Sequence, residues 1–221
     1  MRTKALLGLA ALAVGLSTSV AQNVYSLNVV GYVNVSLQAN KLSFLSLPMA
    51  PVDGNFNITN TIALDDSQDG AVLFAWAGTG WNPTAPSWIA GLGWLPDMVI
   101  SNGGAFFISS KANSTVTFVG QVPQGAISYS IPAGLSTLAN QVPVSTNFPG
   151  ATVGNDGDVM FTWLQAAQGW NPVTSSFIGG LGWIASDGSG TVDGPTLDPG
   201  QGVFYVNNGA AIPFTKNFTV Q

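Results

Sequence analysis

The side chains able to do chemistry in this chain are almost all aspartate carboxylates and tryptophan rings. All ten acidic residues are aspartates, and the chain contains no histidine, cysteine or glutamate. Without histidine or cysteine, Ser-His-Asp and Cys-His nucleophiles are impossible, and the usual general base near neutral pH is missing. The composition therefore predicts that the protein is not an enzyme. Paired aspartates, as used in glycoside hydrolysis, are the one catalytic route left.

Two groups of aspartates have the spacing of oxygen ligands for a hard cation. Asp65 and Asp69 lie in the segment DDSQDG, and Asp156 and Asp158 lie in NDGD. Alternate oxygen ligands before a glycine are typical of calcium loops, although the glutamate that closes an EF-hand is absent. Asp-Gly also favours a tight turn before a strand, which is the alternative explanation. A structural calcium ion at these four aspartates is a hypothesis, and no other cofactor is expected.

The tryptophans fall in duplicated parts of the chain. Residues 80–94, GWNPTAPSWIAGLGW, return 89 positions later as residues 169–183, GWNPVTSSFIGGLGW, with ten of fifteen positions identical. Indole rings stack on sugar rings, and neighbouring asparagines can hydrogen-bond to sugar hydroxyl groups. The alternative is that the large rings fill the cores of two duplicated modules.

Six residues of this repeat are the candidate ligand-binding residues: Trp81, Trp94, Trp170, Trp183, Asn82 and Asn171. Two of the four rings precede Asn-Pro at a turn and two follow Gly-Leu-Gly, so partial exposure of all four is the hypothesis, and burial in the module cores is its alternative. Trp76 and Trp163 end apolar segments and are expected in the core.

Short apolar segments separated by turn residues make up most of the remaining chain. Residues 42–47 match 135–140, and residues 104–108 match 202–206. Glycine and proline interrupt every window of helical length. The pattern predicts an all-β fold of tandem duplicated, sandwich-like or barrel-like modules built from short antiparallel strands.

The first 21 residues have the pattern of a cleaved signal peptide. Arg2 and Lys4 precede an apolar run over residues 5–16, and Ser19-Val20-Ala21 is a small-x-small cleavage site. The run is too short to span a bilayer. We therefore predict a signal peptide over residues 1–21, one β-module over 22–122 and a second over 123–221. The protein is expected to be secreted, at the cell surface or in the periplasm.

Three further segments carry a resemblance to a known group of proteins. Residues 23–35 read NVYSLNVVGYVNV, residues 118–125 read FVGQVPQG, and residues 199–206 read PGQGVFYV. This combination resembles uncharacterised exported two-module β-proteins of verrucomicrobial-type bacteria, over essentially the whole chain after the signal peptide. The resemblance implies export and two β-modules, and it implies no particular activity.

Charge limits the classes of partner. Beyond residue 21, three lysines and ten aspartates leave a net charge of −7. Such a chain has little to neutralise phosphates, so neither nucleic acid nor anionic lipid head groups are expected partners. No stretch beyond the signal peptide approaches about 18 uninterrupted apolar residues, so insertion into a membrane is not expected either. One hypothesis is a non-enzymatic secreted or cell-surface structural or interaction protein. It would bind itself or other surface or matrix components, for example through an open strand edge over residues 29–37. The alternative is a secreted carbohydrate-binding module that binds glycans through exposed tryptophans.

Overall fold

The structure, a computed structural model, describes residues 29–220 and consists almost entirely of β-strands and turns. The predicted signal peptide lies outside these residues. Within them, helix α1 (Ile58–Thr61) is a single turn, and a 3-10 turn covers Asp66–Gln68. No helix in residues 29–220 is long and apolar enough to cross a membrane. The predicted all-β fold class is confirmed.

Seven strands form the first half of the described chain, which we call module 1. They are β1 (Val29–Leu37), β2 (Leu42–Ser46), β3 (Val72–Ala75), β4 (Ser87–Ile89), β5 (Gly93–Leu95), β6 (Ala105–Ser109) and β7 (Ser114–Val122). β1 and β7 form an antiparallel pair, and the other five form a main sheet in the order β2-β6-β3-β4-β5.

Ten strands form the second half, module 2. They are β8 (Gly125–Ile131), β9 (Gly134–Ala139), β10 (Thr146–Asn147), β11 (Val159–Leu164), β12 (Gly169–Trp170), β13 (Ser175–Ile178), β14 (Gly182–Ala185), β15 (Thr196–Leu197), β16 (Gly202–Asn207) and β17 (Ile212–Phe218). The main sheet has the order β9-β16-β11-β13-β14, and β8 pairs with β17. Strand for strand, this order repeats that of module 1.

Each module has its own apolar core between its main sheet and its strand pair. Phe106 and Ile108 of β6 contribute to the core of module 1, and Val203 and Tyr205 of β16 contribute to the core of module 2. No sheet within the described residues closes on itself, so the modules are sandwich-like rather than barrel-like.

A third apolar cluster, which we call the junction, joins the two modules. Phe44, Phe107 and Phe204 are buried in it, and the Phe44 ring stacks on Phe107 at 4.5 Å and on Phe204 at 5.3 Å between centroids. Side chains alternate between the two faces of a strand. The side chains on one face of β6 and β16 therefore lie in the core of their own module, and those on the other face lie in the junction.

The strand register corrects one match made from the sequence. Phe107 pairs with Phe74 of β3, and Phe204 pairs with Phe161 of β11. Phe74 and Phe161 are counterparts in the repeat, so Phe107 and Phe204 are counterparts too. The sequence match of these two strands is thus out of register by one residue. A one-residue shift exchanges the two faces of a strand, so only the corrected register places both phenylalanines at the junction.

Gly120 in β7 lies against the backbone of the segment that follows β2. A Cβ at position 120 would overlap the Ala50 carbonyl oxygen and lie 2.9 Å from the Cβ of Met49. Backbone atoms cannot move aside as a flexible side chain can. We therefore expect Gly120→Ala to lower the free energy of unfolding by about 1–3 kcal/mol in urea denaturation.

Gly80→Ala is the matched control, because a Cβ at position 80 meets no heavy atom within 4 Å. Its effect is expected to stay within about 0.5 kcal/mol of zero. Equal stability of the two variants would show that the close approach at Gly120 has no energetic consequence.

Candidate functional site

Two of the four candidate tryptophans lie at the surface. Trp81 is 45% exposed and Trp170 is 41% exposed. Each of the two residues lies in a hairpin, opposite a second tryptophan on the other arm. Trp81 pairs with Trp76 and Trp170 pairs with Trp163, with ring centroids 5.4 and 5.1 Å apart and planes nearly perpendicular. The expected exposure is confirmed for Trp81 and Trp170.

The expected exposure is wrong for Trp94 and Trp183, which are 0% and 2% exposed. β5 and β14 direct these rings into the module cores. Their indole N–H groups donate to the backbone carbonyls of Ile62 and Val153, at 2.7 and 3.1 Å. An indole whose one polar group is hydrogen-bonded can be buried without an unsatisfied donor. These two tryptophans therefore stabilise the cores and cannot contact a ligand at the surface.

Trp76 and Trp163 were expected in the core, but they are half-buried and belong to the junction. Their hydrogen bonding differs between the modules. The indole N–H of Trp163 donates to the Leu42 carbonyl oxygen at 3.1 Å. The buried indole nitrogen of Trp76 has no hydrogen-bond partner within the described residues.

Sequence reasoning missed the phenylalanines on which the exposed rings rest. Trp81 lies 5.6 Å from Phe107 and 5.9 Å from Phe204, measured between ring centroids. Trp170 lies 6.1 and 5.4 Å from the same two rings. The signal in the sequence is the apolar run over residues 105–108, because an uninterrupted apolar strand is typical of burial on both faces.

Two apolar grooves flank the exposed rings, and both are lined by Trp81 and Trp170. Groove A has a volume of about 400 Å³, and its other lining residues are Trp76, Leu135, Phe161 and Phe204. Groove B has a volume of about 390 Å³, and its other lining residues are Trp163, Leu42, Phe74 and Phe107. Each residue of groove A is the repeat counterpart of one in groove B. The duplication therefore produces two similar apolar grooves side by side.

Asn82 and Asn171 line neither groove. The Oδ1 atom of Asn82 accepts the N–H of Thr84 at 2.9 Å, and that of Asn171 accepts the N–H of Val173 at 3.0 Å. This bond to the backbone two residues on is an Asx turn. Both asparagines therefore shape the turn that follows an exposed tryptophan, and their role in ligand binding stays a prediction.

Contrary to the calcium hypothesis, the four candidate aspartates do not assemble a cation site. Asp65 accepts the N–H of Ser67 within its own turn at 2.9 Å, while Asp69 and Asp156 accept the N–H groups of Ala90 and Gly179, 21 and 23 residues away, at 3.0 and 2.9 Å. Throughout residues 29–220, no three histidine, cysteine, aspartate or glutamate side chains come together in a way that could hold a metal ion.

Asp158 differs from the other three because it is fully buried. Its carboxylate accepts the Tyr205 hydroxyl at 2.6 Å and the backbone N–H groups of Asn155 and Asn208 at 2.8 and 2.7 Å. Burial, and then the hydrogen bond and charge of Asp158, raise the pKa of Tyr205 above its usual value. The phenol therefore stays protonated and continues to donate. Through these hydrogen bonds, Asp158 connects the end of β16 to the turn before β11.

Compared with known proteins, the chain matches no protein-family model, no curated protein and no solved structure. The resemblance to exported two-module β-proteins stays a prediction, and the candidate site is interpreted from its geometry.

Proposed function

We propose that this protein is a non-enzymatic, exported interaction protein that holds a partner against Trp81 and Trp170. The observation that carries this proposal is the exposure of these two equivalent rings, one from each module, beside two apolar grooves. Tryptophan is enriched among the residues that contribute most to binding energy in protein interfaces. Clustered exposed apolar surface is typical of an interaction site.

The lining of the grooves favours an apolar protein surface over a glycan. Sugar binding needs hydrogen-bonding groups around the stacking ring, but the grooves are lined only by tryptophan, phenylalanine and leucine. Asn82 and Asn171 line neither groove, and their Oδ1 atoms accept backbone N–H groups within their own turns. The carbohydrate-binding alternative therefore has less support than a protein partner.

The test measures retention of the labelled protein, beginning at Gln22, on the surface fraction of the cells that produce it. Saturable retention is expected for the unchanged protein. The double variant Trp81→Ala/Trp170→Ala is expected to lose affinity at least about tenfold, because truncating one such tryptophan costs about 2 kcal/mol or more.

Leu92→Ala/Leu181→Ala is the matched control. These leucines are repeat counterparts, are 71% and 61% exposed, and line neither groove. Their replacement is expected to leave retention unchanged. Equal losses in the two double variants would contradict the proposed site. Loss of retention after glycosidase treatment of the surface fraction, but not after protease treatment, would favour a glycan instead.

A further inference from the structure

The two modules differ in how the outer edge of the main sheet is covered, and β2 and β9 are the corresponding edge strands. In module 1, the Leu42 N–H donates to Gln168 Oε1 at 2.7 Å, and Gln168 Nε2 donates to the Leu42 carbonyl at 3.0 Å. Further along β2, the Ser46 N–H donates to the Gly200 carbonyl at 2.8 Å. Module 2 therefore covers the β2 edge near both ends of the strand.

The corresponding edge of β9 is open at Leu135 and Thr137, whereas Ala139 at its end is buried. The register makes Leu135, Thr137 and Ala139 the counterparts of β2 residues whose backbone N–H and C=O groups point away from the neighbouring strand. These outward groups of β9 have no hydrogen-bond partner within residues 29–220. An unpaired strand edge is a template for pairing with another chain.

Loop length explains the asymmetry at the Leu42 end of β2 and the Leu135 end of β9. The connection from Trp76 to Trp81 is two residues shorter than the connection from Trp163 to Trp170, which carries Gln168. The shorter loop has no residue to cover Leu135 as Gln168 covers Leu42. Leu135 is accordingly exposed, and the Trp76 indole nitrogen lacks the carbonyl partner that Trp163 has.

Concave surface runs along the open edge on both sides of Trp76. Groove A lies at the Leu135 end of β9. A second cavity, of about 320 Å³, lies at the other end, where Thr137 and Ala139 face Asn102 and its neighbours. Trp76 lines both. The edge thus offers an apolar groove followed by a polar cavity, with free backbone groups beside them.

We propose that the β9 edge is a docking site for an extended peptide segment of a partner protein, which adds to β9 as a strand. The equivalent edge of β2 indicates which groups fit beside such a strand. It is hydrogen-bonded to the backbone carbonyl of Gly200 and to the side-chain amide of Gln168, which has the same donor and acceptor groups as a peptide bond. An apolar side chain of the partner, opposite Leu135, enters groove A. Main-chain hydrogen bonds supply affinity in this mode, and side-chain pockets supply specificity. The proposal rests on the proposed function, because Trp81 and Trp170 line groove A.

The test uses peptides selected from a phage-displayed library of short unstructured sequences, with a Gly-Ser peptide as the negative probe. Binding of the enriched peptide is expected to slow hydrogen exchange at the Leu135 and Thr137 amides. Thr137→Pro is expected to reduce its affinity at least tenfold. This change removes an outward N–H and leaves the bonds to β16 in place, and proline is tolerated at strand edges for that reason.

Tyr32→Pro is the matched control. Tyr32 is exposed, and its N–H points away from β7 by the same alternation, since the nearby Gln121 N–H points from β7 to Ala50. This variant removes an outward N–H from the edge of β1, which the sequence analysis named as an open strand edge for a partner. It is expected to bind the peptide as the unchanged protein does, and urea denaturation checks that both proline variants fold.

The outcomes separate this proposal from the proposed function. Affinity retained in Thr137→Pro, or unchanged exchange at Leu135 and Thr137, overturns strand docking, while Trp81→Ala/Trp170→Ala still tests the tryptophan site. Affinity lost in Thr137→Pro but retained in the tryptophan variant supports the β9 edge and overturns the tryptophan site. Failure to enrich any peptide overturns the proposal. Self-association that Thr137→Pro abolishes would assign the edge to a second copy of this chain.

Discussion

Asp158→Ala is expected to lower the free energy of unfolding by about 3–5 kcal/mol, because one buried donor and two part-buried donors lose a carboxylate acceptor at once. These donors are the Tyr205 hydroxyl and the backbone N–H groups of Asn155 and Asn208. The Tyr205 hydroxyl gains no access to water when alanine replaces the carboxylate, since both position 158 and Tyr205 are fully buried.

Urea denaturation measures this loss, and Asp156→Ala is the control. Asp156 is exposed and accepts a single loop N–H, that of Gly179. Its replacement is expected to cost about 1 kcal/mol or less, as for the loss of one capping interaction. If the two variants were equally destabilised, the hydrogen bonds of the buried carboxylate would not be what stabilises this part of module 2.

Module 1 suggests a second measurement on the same group. The counterparts of Asp158 and Tyr205 are Ala71 and Ile108, so the polar pair of one copy corresponds to an apolar pair in the other. Asp158→Ala/Tyr205→Phe is therefore expected to be about 1–2 kcal/mol more stable than Asp158→Ala alone, because the phenol hydroxyl is no longer left unpaired.

Phe204→Ala is expected to lower the free energy of unfolding by about 3–5 kcal/mol, the usual cost of removing a buried phenylalanine ring. Phe204 is a residue of module 2 whose side chain lies in the junction, 5.3 Å from Phe44 of module 1 between ring centroids. The rings of Trp81 and Trp170 rest on it at 5.9 and 5.4 Å. The cavity therefore opens between the modules and beneath both exposed tryptophans.

Urea denaturation followed by tryptophan fluorescence measures this effect, with Leu181→Ala as the exposed control expected within about 0.5 kcal/mol of zero. Because its support is removed, the Trp81–Trp170 site is expected to lose partner retention in Phe204→Ala as well. A loss of stability similar to that of Leu181→Ala would show that the junction contributes little to holding the modules together.

The tryptophans show how far local sequence information reaches. The Gly-Leu-Gly-Trp and Trp-Asn-Pro motifs both indicate turns, and both are repeated, so they support the same expectation of exposure. Trp94 and Trp183 are nevertheless buried, because β5 and β14 turn these rings towards the module cores. Each of these strands pairs with its neighbour in the sequence, so the turn alone does not decide which face of the hairpin meets the core. That depends on segments distant in the sequence, such as Ile62 and Val153, whose carbonyls accept the two indole N–H groups.

Buried polar residues show the same limit. The local sequence predicts only a turn or a cation loop around Asp158, since its partner Tyr205 lies 47 positions away. In module 1 the N–H of Lys111, the counterpart of Asn208, donates instead to Gln68 Oε1 at 2.8 Å. The two copies thus satisfy the same backbone group with different side chains, which a comparison of the repeats position by position does not reveal.

The sequence alone determined that the chain is a duplicated all-β protein without histidine or cysteine chemistry, because periodicity, turn residues and composition are local properties. Only the tertiary structure decided which tryptophans reach the surface and how the two copies meet. Packing the copies against each other brings residues from distant strands to one junction and makes the longer loop of module 2 cover the β2 edge. The corresponding loop of module 1, between Trp76 and Trp81, is two residues shorter and does not cover β9. This small difference between the repeats leaves the β9 edge open at Leu135.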